Sequence, residues 1–378
     1  MGLVCLRVSY LEVMNNLPHA HSPERLKGFN LGGWFSQVDC IEEKDPQGFP
    51  GLYAHMESFL GTADFACIRS WGFNHVRLPV DYFNFFQGVD LREDARAFAM
   101  LDAAIAQATS AGLLVVLDLH KCPGHDFHAG TVKEQKFFSD ADCRRDAKRV
   151  WSVLAERYGH NPMVQLEILN EPTATDSAVW DRVKDEMFWH IRKAAPKSTI
   201  VVGSNKWNSA SEFARLTPLE DDNVLYAFHF YNPVVFTHQK APWIHGRAFD
   251  FDLPYPGEYR LGEALGLRLP RDQGRWDRAR MEKELDAVLQ FRVTHKVPVV
   301  CGEFGVYVGG PDRTSQLNWI TDFLQILKGA GIGYSYWNYK NLDFGVQSVG
   351  ESLHQNLPQY NLNSERIDSE LLDLLARL

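Results

Sequence analysis

Short apolar runs alternate with helical stripes along almost the whole chain, and that alternation leaves few folds open. The runs cover Lys27–Leu31, His75–Pro79, Leu113–Leu119, Val164–Asn170, Thr199–Ser204, Val224–Phe230, Val297–Glu303 and Gly333–Trp337. Each is strand-like in composition and too short for an independent helix. Between them apolar residues recur at steps of three and four. Phe98, Leu101, Ile105 and Ala108 form one stripe ahead of Gly112. Cys143, Ala147, Val150, Trp151, Leu154 and Tyr158 form a second ahead of Gly159. Val179, Val183, Met187 and Ile191 make a third, stopped by Pro196, and Met281, Leu285, Val288 and Leu289 a fourth. Leu317, Ile320, Leu324 and Leu327 make a fifth, for which Gly329 is the expected cap. Strands that alternate with helices imply βα units and a parallel sheet. Eight of them predict an α/β chain folded as a (β/α)8 TIM barrel. A doubly wound sheet is the runner-up, but no G-x-G-x-x-G follows the first strand.

The 378 residues suit one barrel domain, 1–378, in which residues 1–22 are a tail or a cover for the barrel bottom. One connection is too long for a plain crossover. Between strands six and seven lies a stretch predicted to be a small inserted subdomain, about 235–285, that walls the active face.

Composition narrows the class of function. A formal net charge of −9 argues against a nucleic-acid partner, whose phosphates favour a basic surface. No stretch approaches the ~20 apolar residues that span a bilayer, so no membrane partner is expected. The N-terminus lacks a basic segment followed by a sustained apolar one, and a cytoplasmic location is expected, or a secreted one if a signal has been lost. Six scattered cysteines without metal-finger spacing read as free thiols. A monomer is expected.

The strand ends carry the chemistry. Glu171 closes Val164-Gln165-Leu166-Glu167-Ile168-Leu169-Asn170-Glu171, and Glu303 closes Pro298-Val299-Val300-Cys301-Gly302-Glu303. Polar residues at the C-terminal ends of barrel strands form the active face. Two carboxylates presented there are what cleavage of an acetal needs, one to protonate the departing oxygen and one to attack or stabilise the anomeric carbon. Arg77 is a charge inside an apolar strand and needs a carboxylate partner. That partner makes it either a structural ion pair or the group that holds Glu303 ionised. His229 and Tyr231 are two apart and share a face. His120 ends its strand where it can donate to a sugar hydroxyl, and Trp337 ends the last strand where it can stack on a sugar. Glu167 and Asp118 lie deeper and read as buried polar residues of the barrel interior. His120, His125 and His128 match no standard metal spacing, so no metal and no cofactor are expected, and the two loop histidines read as rim residues.

With these residues in place the chain resembles glycoside hydrolase family 5, the cellulase-type retaining β-glycosidases, and within it the clostridial endoglucanase C group. The motifs are Gly28-Phe29-Asn30-Leu31-Gly32-Gly33-Trp34, His75-Val76-Arg77-Leu78-Pro79, Leu117-Asp118-Leu119-His120, Leu169-Asn170-Glu171, Phe228-His229-Phe230-Tyr231-Asn232-Pro233, Cys301-Gly302-Glu303-Phe304-Gly305 and Trp337-Asn338-Tyr339-Lys340. The resemblance implies a metal-free barrel enzyme, with Glu171 as general acid/base and Glu303 as nucleophile. It implies that Asn170 holds the sugar 2-hydroxyl, that Arg77 and Tyr231 bond Glu303, that His229 sits beside Glu171, and that His120 and Trp337 bind the same sugar. The implied substrate is a β-glucan, cut internally at β-1,4 bonds. An exo-β-1,3-glucanase or β-glucosidase-like action, or a mannan hydrolase, is the alternative on the same barrel. An inactive carbohydrate-binding barrel or an enzyme of phosphorylated metabolites is a more distant one. Lys121-Cys122 departs from the histidine and alanine of many relatives, which leaves subsite contacts open.

Overall fold

The computed structural model of the protein describes residues 26–44, 48–127, 132–243, 250, 252–260, 272–349, 361–362 and 365–377. The N-terminal segment 1–22, His128 and the Ile244–Gly246 part of the insertion lie outside the described residues. Eight strands form a closed barrel: β1 (Lys27–Asn30), β2 (His75–Asp81), β3 (Leu114–Lys121), β4 (Val164–Glu167), β5 (Ile200–Gly203), β6 (Val224–Phe230), β7 (Val299–Phe304) and β8 (Gly333–Tyr336). Each pairs in parallel with its sequence neighbours, and β1 pairs with β8 to close the ring. The eight expected runs are the eight strands.

The helical stripes bury the faces their spacing marks. Phe98, Leu101, Ile105 and Ala108 lie on the buried side of Ala95–Ser110, and Ala147, Val150, Trp151, Leu154 and Tyr158 on that of Ala141–Tyr158. Asp94, Asp140, Asp176 and Asp312 each accept a backbone N–H at a helix start, a cap that contributes about 1 kcal/mol. Two details differ from expectation. The fifth stripe runs past Gly329 to Ala330 and ends on Gly331, whose φ of 60° is the left-handed cap. The fourth stripe is two helices, Arg278–Glu284 and Asp286–His295, because the chain bends at Leu285.

The seam between first and last strands is pinned by side chains. Gly32 N donates to Asn338 Oδ1 at 2.9 Å, and Asn338 Nδ2 returns a bond to Gly32 O at 3.0 Å. Asn30 Nδ2 donates to Gly302 O at 3.0 Å, adding β7 to the junction. The described parts of the insertion after β6 lie in two places. Its start lies near the site, with the His238 ring 5.3 Å from that of Tyr231 and the Trp243 ring 5.1 Å from that of Tyr307. Its antiparallel pair, Gly257–Tyr259 with Gly274–Trp276, belongs to a part that docks outward. Tyr255 N donates to Ser315 Oγ at 2.9 Å and Tyr255 Oη to Asp322 Oδ2 at 3.0 Å, both on the outer helix Arg313–Ala330.

Candidate active site

Arg77 stands at the centre of the barrel mouth, 1% exposed. Its Nη1 donates to Glu303 Oε1 at 2.6 Å and to Asn30 Oδ1 at 2.9 Å. Its Nε and Nη2 form a fork on Glu167 at 2.7 and 2.9 Å. Nη2 also reaches Asn170 Oδ1 at 2.8 Å and Asp118 Oδ2 at 3.0 Å. A planar guanidinium can hold this many acceptors at fixed angles, and a lysine cannot. Both readings of Arg77 therefore apply: it is a buried ion pair with Glu167 and Asp118, and it is the cation on Glu303.

Local backbone irregularities aim the two glutamates. The pairing of β7 with β6 shifts between Cys301 and Glu303, and this bulge places Glu303 opposite His229. Gly302 sits against that histidine, since a Cβ there would lie 3.2 Å from His229 Nε2. β4 ends at Glu167, three residues short of the apolar run, and the chain bends through Ile168–Asn170. The bend brings both Asn170 and Glu171 to the centre, although strand alternation alone would separate them. Asn170 Oδ1 faces Arg77, while its buried Nδ2 has no acceptor among the described residues.

The glutamates meet across His229. Its Nδ1 lies 2.8 Å from Glu171 Oε1 and 3.5 Å from Glu303 Oε2, and one oxygen of each carboxyl group lies within 4.8 Å of the other. Tyr231 Oη donates to Glu303 Oε2 at 3.0 Å. Burial, and then the charge of Glu303, push the Glu171 carboxyl well above the ordinary range. Burial raises Glu303 as well, to about 7, against the opposing pull of Arg77 and the Tyr231 hydroxyl. Of the two, Glu171 keeps its proton to higher pH, because Glu303 has the cation. Burial and Arg77 hold the His229 imidazole well below 6.5, so it is neutral.

These three side chains are close enough to hold a metal ion, the one such group found among the described residues. Their surroundings fit that use poorly. Glu303 already bonds a guanidinium at 2.6 Å, and a second cation there would be repelled by it.

His120 and Trp337 form a parallel pair of rings, centroids 5.7 Å apart and planes within 4°. His120 Nδ1 is 2.7 Å from Asp118 Oδ2, so Asp118 orients His120 as well as bonding Arg77. All eight expected site residues converge on one mouth: Glu171, Glu303, Arg77, Asn170, His229 and Tyr231 in one hydrogen-bonded group, with His120 and Trp337 alongside.

Sequence reasoning misread one residue beside them and passed over another. His125 is not a rim residue; it is 3% exposed, and its Nε2 lies 3.0 Å from the backbone oxygen of Glu171. Trp207, 47% exposed, follows β5. Its Nε1 donates to Phe127 O at 3.1 Å and its backbone N to Pro172 O at 3.1 Å, so the indole is fixed beside the Glu171 segment. Lys206, Trp207 and Asn208 have φ of 51°, 58° and 54°. Left-handed backbone costs roughly 1 kcal/mol per non-glycine residue, and such costs cluster at functional sites. The signal was present in the sequence: Trp207 stands just past a barrel strand end, as the other site residues do.

Residues 40–343 match the family model for cellulase (glycosyl hydrolase family 5). The chain belongs to glycoside hydrolase family 5. Among family members it is 31% identical over 363 residues to endoglucanase C of Acetivibrio thermocellus, covering 93% of this chain and 97% of that protein. It is 31% identical over 311 residues to cellodextrinase A of Ruminococcus flavefaciens, covering 81% and 83%. The fold is also that of Thermotoga maritima endoglucanase Cel5A, with a TM-score of 0.71 at 22% identity over 93% of this chain and 97% of that one.

Proposed function

We propose that this family 5 chain is a retaining endo-β-1,4-glucanase that works by double displacement. The observation that carries the stereochemistry is the approach of the two carboxyl groups, with oxygens within 4.8 Å. Retaining pairs stand about 5–5.5 Å apart, whereas inverting pairs leave about 6.5–9.5 Å for a water.

Glu303 attacks the anomeric carbon while Glu171 gives its proton to the departing glycosidic oxygen. The products of this step are a glucosyl ester on Glu303 and a free chain end. Glu171, now ionised, takes a proton from water, whose oxygen attacks the same carbon and releases Glu303. Arg77 and Tyr231 keep Glu303 ionised and aimed. Asn170 Nδ2 is free to meet the 2-hydroxyl, an interaction that strengthens in the transition state. His120 and Trp337 offer a hydrogen bond and an apolar face to the same sugar, and Trp207 offers a second fixed aromatic face beside the acid/base.

Internal cutting of β-1,4-glucan is supported by the endoglucanase relative, matched over nearly its whole length. The cellodextrinase relative, equally identical, favours a second reading in which short oligosaccharides are the preferred substrate. An activity panel tests both. Cellulosic and mixed-linkage glucans, β-1,3-glucan, mannan and defined cello-oligosaccharides are compared by product length over time. Early internal fragments support the first reading. Rapid cutting of short oligomers with polymers untouched supports the second. Activity confined to β-1,3-glucan or mannan refutes both.

A further inference from the structure

The Glu171 segment is held from behind by a histidine with an acceptor at each end. The turn Cys122-Pro123-Gly124-His125 follows β3, with proline in its second position and Gly124 at φ 77° in its third, the residue pattern of a type II turn. His125 N donates to Cys122 O at 2.9 Å and Phe137 N to Gly124 O at 2.9 Å, which fixes the turn and buries the ring. His125 Nε2 then lies 3.0 Å from Glu171 O, and Nδ1 lies 2.8 Å from Gln135 Oε1. The Gln135 amide cannot be reversed to offer a donor. Its Nε2 donates to Asp126 O at 2.7 Å, and its Oε1 accepts from Thr173 Oγ1 at 2.6 Å. A neutral imidazole has one N–H and can serve one of the two acceptors; the imidazolium serves both.

We propose that His125 is a protonation-dependent positioning residue for Glu171, bridging Gln135 to the Glu171 backbone when doubly protonated and releasing one of the two bonds when neutral. This rests on the reading of Glu171 as acid/base. The groups facing the ring come from each element packed on it. From its own loop Asp126 favours the cation, while sharing its carboxylate with Lys121 Nζ at 3.1 Å, which also reaches Asp39 at 3.0 Å. From the following segment come Gln135 and the Phe137 and Phe138 rings, at 6.4 and 5.2 Å. From the end of β4 come Glu171 and, through Gln135, Thr173. Burial lowers the pKa of the imidazole from its ordinary 6.5, with Gln135, Glu171 O and Asp126 opposing. The change of state therefore falls on the acid side of neutrality.

His125→Gln retains one donor and does not titrate. For an aryl β-cellobioside with a basic leaving group, the ratio of wild-type to variant kcat/KM should be about tenfold on the acid side of the His125 transition seen by NMR, roughly one charged hydrogen bond, and should shrink on its alkaline side. With a leaving group acidic enough to depart unprotonated, the ratio on the acid side of that transition should be several-fold smaller, because little proton donation is then asked of Glu171. Nitrogen NMR of the His125 ring should show one nitrogen protonated at neutral pH and both after a transition on the acid side of the ordinary imidazole range. Gln135→Glu sets a carboxylate against Nδ1 and should move the change to higher pH, which keeps the test open if His125→Gln does not fold. Equal deficits on both substrates at every pH, or a ring that stays singly protonated down to the acid limit of the folded protein, would overturn the proposal. Glu171→Ala on the same two substrates checks the underlying reading separately. If that variant has no leaving-group dependence, Glu171 is not the acid and the fault lies there.

Discussion

Arg77 Nη1 and Glu303 Oε1 are 2.6 Å apart, joined across the barrel by residues that lie 226 positions apart in the chain. The same guanidinium also bonds Glu167 and Asp118, so one cation serves three carboxyl groups, and Glu171 stands just beyond. The environment of Glu303, the proposed nucleophile, is thus set by how one planar group divides its donors.

Arg77→Lys should lower kcat by about 10²-fold or more with a smaller change in KM, because a point charge cannot serve Glu303, Glu167 and Asp118 together. Stability should fall by about 3 kcal/mol, the order of a broken buried pair. Steady-state kinetics and denaturant unfolding measure the two effects. A variant with wild-type kcat would leave Arg77 only its structural pairing.

The pH–rate profile should be bell-shaped. As the pH falls through the Glu303 value of about 7, the nucleophile gains a proton and attack is lost. As the pH rises through the higher Glu171 value, the acid loses its proton and the leaving group is no longer assisted. Glu171→Ala should still form the ester with an activated aryl glycoside, and azide should restore turnover to a β-configured product. Glu303→Ala should give an α-configured azide adduct. The reverse pattern would exchange the roles.

Thermal stability should decline from about pH 7 to about pH 9, above the range in which the buried neutral histidines, such as His75 and His238, oppose the trend. Burial raises Asp81 to about 8, and Asp118 and Glu167 to about 7. A carboxyl group raised in this way binds its proton more tightly folded than unfolded. Its contribution is full below the ordinary carboxylate pKa and disappears as the pH passes the folded value. Calorimetry across that range should register a fall in Tm of about 5 °C or more. A Tm that rises over the same interval would contradict the burial of these groups.

Trp207→Ala should leave the fold intact and raise KM for cello-oligosaccharides about tenfold, the scale of one lost aromatic contact. The loss should be larger for long substrates than for an aryl glucoside. Kinetics against chain length test this, and equal effects at every length would remove Trp207 from the cleft.

The barrel was legible in the sequence because strand runs and helical stripes differ in period, and period follows from which faces are buried. The site was legible because a barrel gathers its strand ends at one mouth. What periodicity cannot register is a change of direction within an apolar run. Ile168-Leu169 continue the pattern of β4 while the backbone has already bent, and Leu285 continues a helical stripe across a break between two helices. Nor does spacing register what lies behind a loop. His125 looked like a rim residue because its contacts, with Gln135 and the Glu171 backbone, come from the folded turn and not from any neighbour at strand or helix spacing.

The Gly32–Asn338 seam has a consequence for how the enzyme is made. Its partners are separated by 306 residues, and the barrel cannot close until both exist. A chain leaving the ribosome carries Arg77 and Glu171 early, and Glu303 and the final barrel strand much later. Until then the shared burial that raises the Glu171 and Glu303 pKa values is incomplete, and Arg77 lacks its bond to Glu303. Such distant pairings also slow folding. Catalytic power therefore arrives in a single late event, when the last strand docks.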